Sequence, residues 1–315
     1  MKANPRILVT GAGGGAGGGG VGRMVVETLC RRDVPVRAMV HHDDERAAHL
    51  RSIGADVVVG DLTRPDQVAE ALDGVSRMFF SLSVSSSYLE ATATVATVAR
   101  ATGGLEALVN ISQMTVSQMT AVSTEESSQQ RLHWLSEQVL EWSGLPVVYV
   151  RPTAFLDNVM FTSLVARPVG ESGMLPLPFG EGRTSPVAAA DVARVVLTVL
   201  DDPGRYIGQV LELTGPRSQD MNGVAAEYAR ALGRTVTYVD VPPDVWAQRL
   251  AAHPELPPHV TQHLITMARL HRENRYDRST GTVEEVTGTP AQSVERFVAE
   301  HAHLFAGPEG PRNAH

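Results

Sequence analysis

Apolar residues along this chain gather in short, nearly unbroken runs, separated by longer stretches in which they recur every three or four positions. The runs at 6–10, 34–40, 55–59, 75–82, 105–111 and 146–150 are predicted strands, and 21–32, 45–53, 65–72, 88–101 and 127–142 are predicted helices. A strand with one wet face alternates apolar and polar side chains, whereas Ile7-Leu8-Val9 and Met78-Phe79-Phe80 do not. Both faces must therefore be covered, as in a mostly parallel sheet wrapped by its crossover helices.

After Arg151-Pro152 the rhythm weakens, and 166–186 carries Gly and Pro residues with no clear period, which predicts a loop that covers or lines something. A helix at 189–200 and a strand at 209–213 then return the chain to the main sheet. Helices at 219–232, 245–252, 258–272 and 293–301, with a strand at 236–241, make a smaller lobe. The expected fold class is α/β, a doubly wound mostly parallel sheet with a smaller C-terminal α/β lobe. Residues 1–155, joined by 187–215, form the sheet domain, 156–186 and 216–306 the lobe, and 307–315 a flexible tail.

Composition narrows the partners. The formal charge of -8 gives no basic footprint for a phosphate backbone, so nucleic acid is not an expected partner. The single cysteine, Cys30, excludes an internal disulfide and reads as a helix-face residue. No apolar run is long enough to span a bilayer and no signal-peptide pattern precedes the first strand, so the expectation is a cytoplasmic protein with no membrane contact.

The turn from Thr10 to Gly22 follows a strand and opens a helix, the context in which a glycine-rich segment receives a dinucleotide pyrophosphate. Gly11 permits the tight exit from the strand, Gly14 lets backbone approach the phosphates, and Gly22 allows the helix to pack closely on the strand. The free amides of Gly20, Val21 and Gly22 at the helix start favour an anion. The spacing is irregular, since Gly22 comes five residues late for a regular Gly-x-x-Gly-x-x-Gly, and 15–19 reads as an inserted bulge.

At the end of the second strand, Val40-His41-His42 lacks the acidic residue that would accept an adenosine ribose diol, which tilts the cofactor toward NADP. His41 and Arg46 are then candidates to face a 2′-phosphate. NAD remains the alternative if Asp43 or Asp44 turns back to hold the diol. Asp61 and Leu62 are placed to border the adenine, and Ser81 and Ser83 to contact the cofactor from the rim after the fourth strand. Tyr88 reads equally as a helix-start packing residue and as a proton donor.

Ile7-Leu8-Val9-Thr10-Gly11-Ala12, Val59-Gly60-Asp61-Leu62, Ser143-Gly144-Leu145-Pro146 and Arg151-Pro152, followed by Ala190-Asp191-Val192-Ala193, Leu213-Thr214-Gly215-Pro216 and Thr287-Gly288-Thr289-Pro290, resemble the NmrA-like branch of the atypical short-chain dehydrogenase/reductases, over about residues 6 to 305. That resemblance implies a Rossmann sheet. It also implies one of two functions: an NAD(P)H-dependent reductase of quinone, azo, enone, triarylmethane or similar conjugated small molecules, or a non-catalytic NAD(P) sensor acting through a protein partner. The superfamily's Tyr-x-x-x-Lys pair would fall on Gln129 and His133, so neither expected residue is present. Glutamine cannot move a proton; His133 can, or can hold a ribose hydroxyl.

The loop after the fifth strand contains Ser-Gln-Met-Thr twice, at 112–115 and 117–120. In an open parallel sheet, ligands bind beyond the carboxyl ends of the strands. Ser112 and Gln113 are thus candidates, with His133, for orienting and protonating an acceptor, and Met114 for packing against a flat ring. Phe155, Asn158 and Phe179 are candidate substrate-wall residues. No metal site is expected, because His259, His263 and His271 read as a packed or solvated helix face.

Overall fold

The computed structural model describes residues 6–14, 20–83, 85–253 and 256–307. The inserted glycines expected to bulge at 15–19, and the tail from residue 308 onward, lie outside the described residues. The chain divides into two compact units, the first ending at Pro152 and taking back Ala189–Leu213 and Thr282–Gly288.

Unit 1 alternates strand and helix: β1 (Ile7–Thr10), α1 (Val21–Arg31), β2 (Val36–Val40), α2 (Glu45–Ser52), β3 (Asp56–Val59), α3 (Pro65–Leu72), β4 (Arg77–Phe80), α4 (Tyr88–Thr102), β5 (Ala107–Ile111), α5 (Ser128–Ser143) and β6 (Val147–Pro152). Two elements further on in sequence belong to unit 2: α6 (Ser163–Ser172) and β7 (Met174–Leu177). The chain then returns to unit 1 with α7 (Ala189–Asp201) and β8 (Val210–Leu213).

The sheet runs β3-β2-β1-β4-β5-β6-β8, and every pairing is parallel. Strand order reverses between β1 and β4, which opens the crevice in which doubly wound sheets bind ligands. On one face, Leu8, Met78, Phe80 and Leu108 join a core with residues of α3, α4 and α5 such as Val68, Val95 and Leu140. Their neighbours along the strands, Ile7, Val9, Phe79 and Val109, are also buried and face the opposite way, toward α1 and α7. Complete burial of each such side chain contributes about 1.5–3 kcal/mol, which is why the strands read as continuous apolar runs.

Unit 2 continues with α8 (Met221–Leu232), β9 (Thr237–Asp240), α9 (Pro243–Ala251) and α10 (Pro258–Arg272). The chain passes back to unit 1 for α11 (Thr282–Thr287), which packs on α7, and ends in unit 2 with α12 (Val294–Glu300). Here β7 and β9 form a separate two-stranded parallel sheet, and α6, α8, α10 and α12 contribute Val165, Tyr228, Leu264 and Phe297 to one core.

The segment expected to be a loop at 166–186 is instead largely α6 and β7. Its Val165 and Val169 are buried one helical turn apart. The residues that disguised it have local roles: Gly173 caps α6 at φ +67, and a Cβ on Gly170 would come within 3.1 Å of the Ala306 carbonyl oxygen. Pro168 sits inside the helix, where its ring removes one hydrogen bond without ending the element.

Candidate functional site

The glycine turn leaves β1 through Gly11 at φ +72, a conformation that disfavours any side chain. A Cβ there would stand 2.8 Å from the Ser81 carbonyl oxygen, and one on Gly22 would stand 3.0 Å from Thr10 O, Gly11 C and Ala12 N. A Cβ on Gly14 would stand 2.8 Å from Ser83 Oγ. These three glycines keep a backbone cradle open at the head of α1. The cap residue of α1, Gly20, offers no side-chain bond to the first helical amides, and the first turn carries no acid. By contrast α2, α5 and α8 are each capped by a side chain, from Asp44, Ser127 and Asp220. Uncapped donors beside a glycine cradle suit a pyrophosphate.

A cavity of about 440 Å³ continues from Gly11, Gly13 and Gly14 along the ends of β2, β3 and β4. Its walls include Met39, His41, Arg46, Leu62, Ser83 and Glu90. His41, Arg46, Asp61, Leu62, Gly11, Gly14 and Ser83, all named from sequence, therefore line one space.

Other expected cofactor contacts are occupied differently. Both hydrogen-bonding roles of the Thr10 hydroxyl go to Ser81, donating to its carbonyl at 2.7 Å and accepting from its amide at 2.9 Å. Thr10 thus stitches β1 to the exit of β4 and shapes the cradle from behind. Asp61 Oδ1 accepts from the Thr63 amide at 2.8 Å and the Thr63 hydroxyl at 2.9 Å, and these bonds hold its carboxyl below the usual range. Arg46 donates through Nε to Asp44 Oδ2 at 2.9 Å and through Nη1 to the Gly13 carbonyl at 2.6 Å.

At the exit of β5 the side chains change character. Asn110 and Ser112 follow Leu108 at two-residue spacing, which puts them on the sheet face covered by α4 and α5. Asn110 is 1% exposed and Ser112 5%, yet among the described residues neither Asn110 amide atom nor the Ser112 hydroxyl meets a hydrogen-bond partner. On α5, Gln129 is also buried, and its Oε1 is likewise unpartnered. Buried polar groups are nearly always paired, so the unpartnered atoms make Asn110, Ser112 and Gln129 candidates to receive polar atoms of a ligand.

Gln129 Nε2 donates to His133 Nε2 at 2.9 Å, an arrangement that suits a neutral imidazole with its proton on Nδ1. The Tyr88 ring lies 4.5 Å from that of His133, and Tyr88 is fully buried, donating its hydroxyl to the Ile111 carbonyl at 3.2 Å. Burial drives the Tyr88 phenol far above its ordinary range, and its ring packs between α4 and α5.

The loop beyond β5 is held at two points. Its short 3-10 helix, Met114–Gln118, is tied to α5 by Gln130, whose amide donates to Thr115 Oγ1 at 3.1 Å; that hydroxyl in turn donates to Gln113 Oε1 at 3.3 Å. Gln130 and Ser127 also complete a capping box at the start of α5. The second Ser-Gln-Met-Thr copy anchors the far side. Ser117 bonds to Glu212 on β8 and accepts from Arg151 Nη1 at 3.2 Å, and Arg151 pairs with Glu137 of α5 through Nε at 3.0 Å.

Of the expected substrate contacts, Met114 and Phe179 are buried, while Phe155 and Asn158 are half-buried. Met114 is 1% exposed, so its thioether packs inside unit 1 and does not front open space. Phe179 has no exposed surface; it belongs to unit 2, edge-on to Phe161 and stacked on His271 at 3.9 Å. It is a core residue, with one ring stacked on it and another set edge-on. Asn158, also in unit 2, accepts from the Met160 amide at 2.9 Å, and Phe155 forms an isolated bridge with Val187. Asn110 was not singled out from sequence, although an amide at the end of an otherwise apolar strand was the available signal. Among the described residues no cluster suited to a metal ion occurs, and no helix is long and apolar enough to cross a membrane.

The model of the NmrA-like family matches residues 3–303. Among similar proteins, an NAD(P)H azoreductase of Xenophilus azovorans is 28% identical over 302 residues, covering 95% of this chain and 99% of its own. A (4-alkanoyl-5-oxo-2,5-dihydrofuran-3-yl)methyl phosphate reductase of Streptomyces griseus is 29% identical over 300 residues, covering 95% and 99%. Among solved structures, NmrA, a negative transcriptional regulator in complex with NADP, superposes with a TM-score of 0.78 at 18% identity, covering 95% of each chain.

Proposed function

This chain belongs to the NmrA-like family, and we propose that it is an NAD(P)H-dependent reductase of a flat, conjugated small molecule such as a quinone, azo, enone or triarylmethane compound. The carrying observations are the buried, unpartnered polar atoms of Asn110 and Ser112 at the exit of β5, a strand of the sheet that bears the glycine cradle, and of Gln129 on α5, whose amide meets His133. The azoreductase and the dihydrofuranone reductase, both similar over nearly their whole length, support the same chemistry, and the regulator solved with NADP supports the cofactor.

Bound NADPH would supply a hydride, and the cradle from Gly11 to Gly22, the cavity beside His41 and Arg46, and Ser83 would hold it. Ser112 and Gln113 orient the acceptor. Thr115 occupies Gln113 Oε1, which leaves the Gln113 amide protons to point elsewhere. His133 delivers a proton, and Gln129 can follow its charge: the amide nitrogen donates to the neutral ring, and after a flip Oε1 accepts from the protonated one. A conjugated acceptor spreads the incoming charge, so proton delivery need not coincide with reduction and a tyrosine is dispensable.

Steady NADPH oxidation with a quinone or azo acceptor is expected, falling by about 10- to 100-fold in His133→Ala or Gln113→Ala with the NADPH Kd little changed. Tight NADPH binding without turnover across a broad acceptor panel sinks this reading. That result would favour a second one, a non-catalytic NAD(P)-sensing regulator acting through a protein partner. Gln129 and His133 in place of a Tyr-Lys pair, and the similarity to NmrA, support it.

A further inference from the structure

One wall of the cavity is formed by the rim after β4 and the first turn of α4, through Leu82, Ser83, Ser85, Ser87, Glu90 and Ala91. The sequence there spells a capping box, Ser87-x-x-Glu90, in which the glutamate would reach back to the Ser87 amide. That box is not made. Ser85 Oγ accepts from the Ser87 amide at 3.1 Å, and the Ser87 side chain caps nothing. The Glu90 carboxylate is thereby released from its local partner and stands on the cavity wall.

Two further carboxylates on that wall are held in place. Asp44 accepts from the Arg46 amide through Oδ1 and from Arg46 Nε through Oδ2, each at 2.9 Å, and Asp61 is anchored through Oδ1 by the Thr63 amide and hydroxyl. Among the described residues the Glu90 carboxylate has no hydrogen-bond or ion-pair partner. It is exposed, so water satisfies it in the free protein and a ligand donor can take the place of that water. The glycine cradle assigns the pyrophosphate to the head of α1, and the adenosine ribose then belongs at the exit of β2. Beyond the ribose, Met39, Leu62, Leu82 and Ala91 offer apolar surface to the flat faces of a base, which leaves only its edge for polar contacts.

We propose that Glu90 is a specificity-determining residue for the base of the dinucleotide: its carboxylate accepts from the exocyclic amine of adenine. An ionised carboxylate is an acceptor only, so it repels the carbonyl that hypoxanthine carries where adenine has the amine. The assignment rests on the dinucleotide site proposed above and names the side chain that reads its base.

Fluorescence titrations compare NADPH with its deaminated analogue, reduced nicotinamide hypoxanthine dinucleotide phosphate. The two ligands share every phosphate, both riboses and the nicotinamide, so the ratio of their Kd values isolates the base edge. In the parent protein the analogue is expected to bind about 5- to 20-fold more weakly than NADPH. In Glu90→Gln, whose amide can donate to the carbonyl as well as accept from the amine, the two Kd values should agree within about twofold, and likewise in Glu90→Ala. Glu90 is exposed and outside the core, and a thermal melt checks that each variant keeps its fold. Equal affinities in the parent protein, or a preference for NADPH that survives in either variant, overturn the role of Glu90 while leaving the dinucleotide site standing. Failure of the parent protein to bind either dinucleotide overturns the proposed function and this role with it.

Discussion

Within unit 1 the two ends of the candidate site are built from different materials. The phosphate end is made of backbone: Gly11, Gly14 and Gly22 leave room that one Cβ would fill, and α1 begins without a side-chain cap. The end at β5 is made of side chains whose positions depend on other side chains: Gln113 on Thr115, Thr115 on Gln130, and Ser117 on Arg151 and Glu212. A backbone cradle tolerates little variation in residue type but asks nothing of distant residues. A side-chain site can vary in residue type, provided the supporting network stays intact. Binding and chemistry should therefore be separable by mutation.

The largest separation is expected from Gly11→Val. Its side chain meets the Ser81 carbonyl in a left-handed backbone conformation, so dinucleotide affinity should drop by about 100-fold or more, with a thermal melt as folding control. Retained affinity would mean that the cradle is not where the phosphates sit. At the other end, Arg151→Gln leaves Glu137, 3% exposed, buried without its cation, and should cost about 3–5 kcal/mol in denaturant unfolding. A change below about 1 kcal/mol would show that the β5 loop does not depend on this pair.

Unit 2 supplies a contrast that titrates. His271 is fully buried between Phe179 and Tyr276, donating from Nδ1 to the Met267 carbonyl, and burial holds it neutral with a pKa of about 3 against an ordinary 6.5. Its contribution to stability is complete above about pH 6.5. As pH falls below that value the unfolded chain takes up a proton that the folded chain refuses, so stability declines by about 1.4 kcal/mol per unit toward pH 3. Urea unfolding at pH 7 and pH 5 should differ by about 2 kcal/mol from this residue, and His271→Phe, which keeps the ring stack, should remove that share. The smallest effect is expected from Gln130→Ala. Loss of its capping box and of the bond to Thr115 should cost about 1 kcal/mol while lowering kcat more than it changes the NADPH Kd.

How much of this was legible in the sequence follows the same division. The glycine turn could be read because the conformations it needs restrict residue type locally, and the doubly wound sheet because two-faced burial leaves unbroken apolar runs. The support of the β5 loop could not be read, since Ser117 and Glu212 lie 95 residues apart and nothing in one chain links them. Helix α6 was hidden because Pro168, Gly170 and Gly173 signal a loop, although they serve a helix interior, a close approach and a cap. A phenylalanine in an irregular segment looks the same in sequence whether it lines a cavity or, like Phe179, fills a core.

The central claim is that this chain transfers reducing equivalents and does not merely bind their carrier. Its most direct test mixes the protein, preloaded with NADPH, with excess quinone or azo acceptor and follows NADPH absorbance through a single turnover. Stoichiometric oxidation is expected in the parent protein, slowed by about 10- to 100-fold in His133→Ala at unchanged NADPH affinity. NADPH that stays bound and reduced against every acceptor would contradict it.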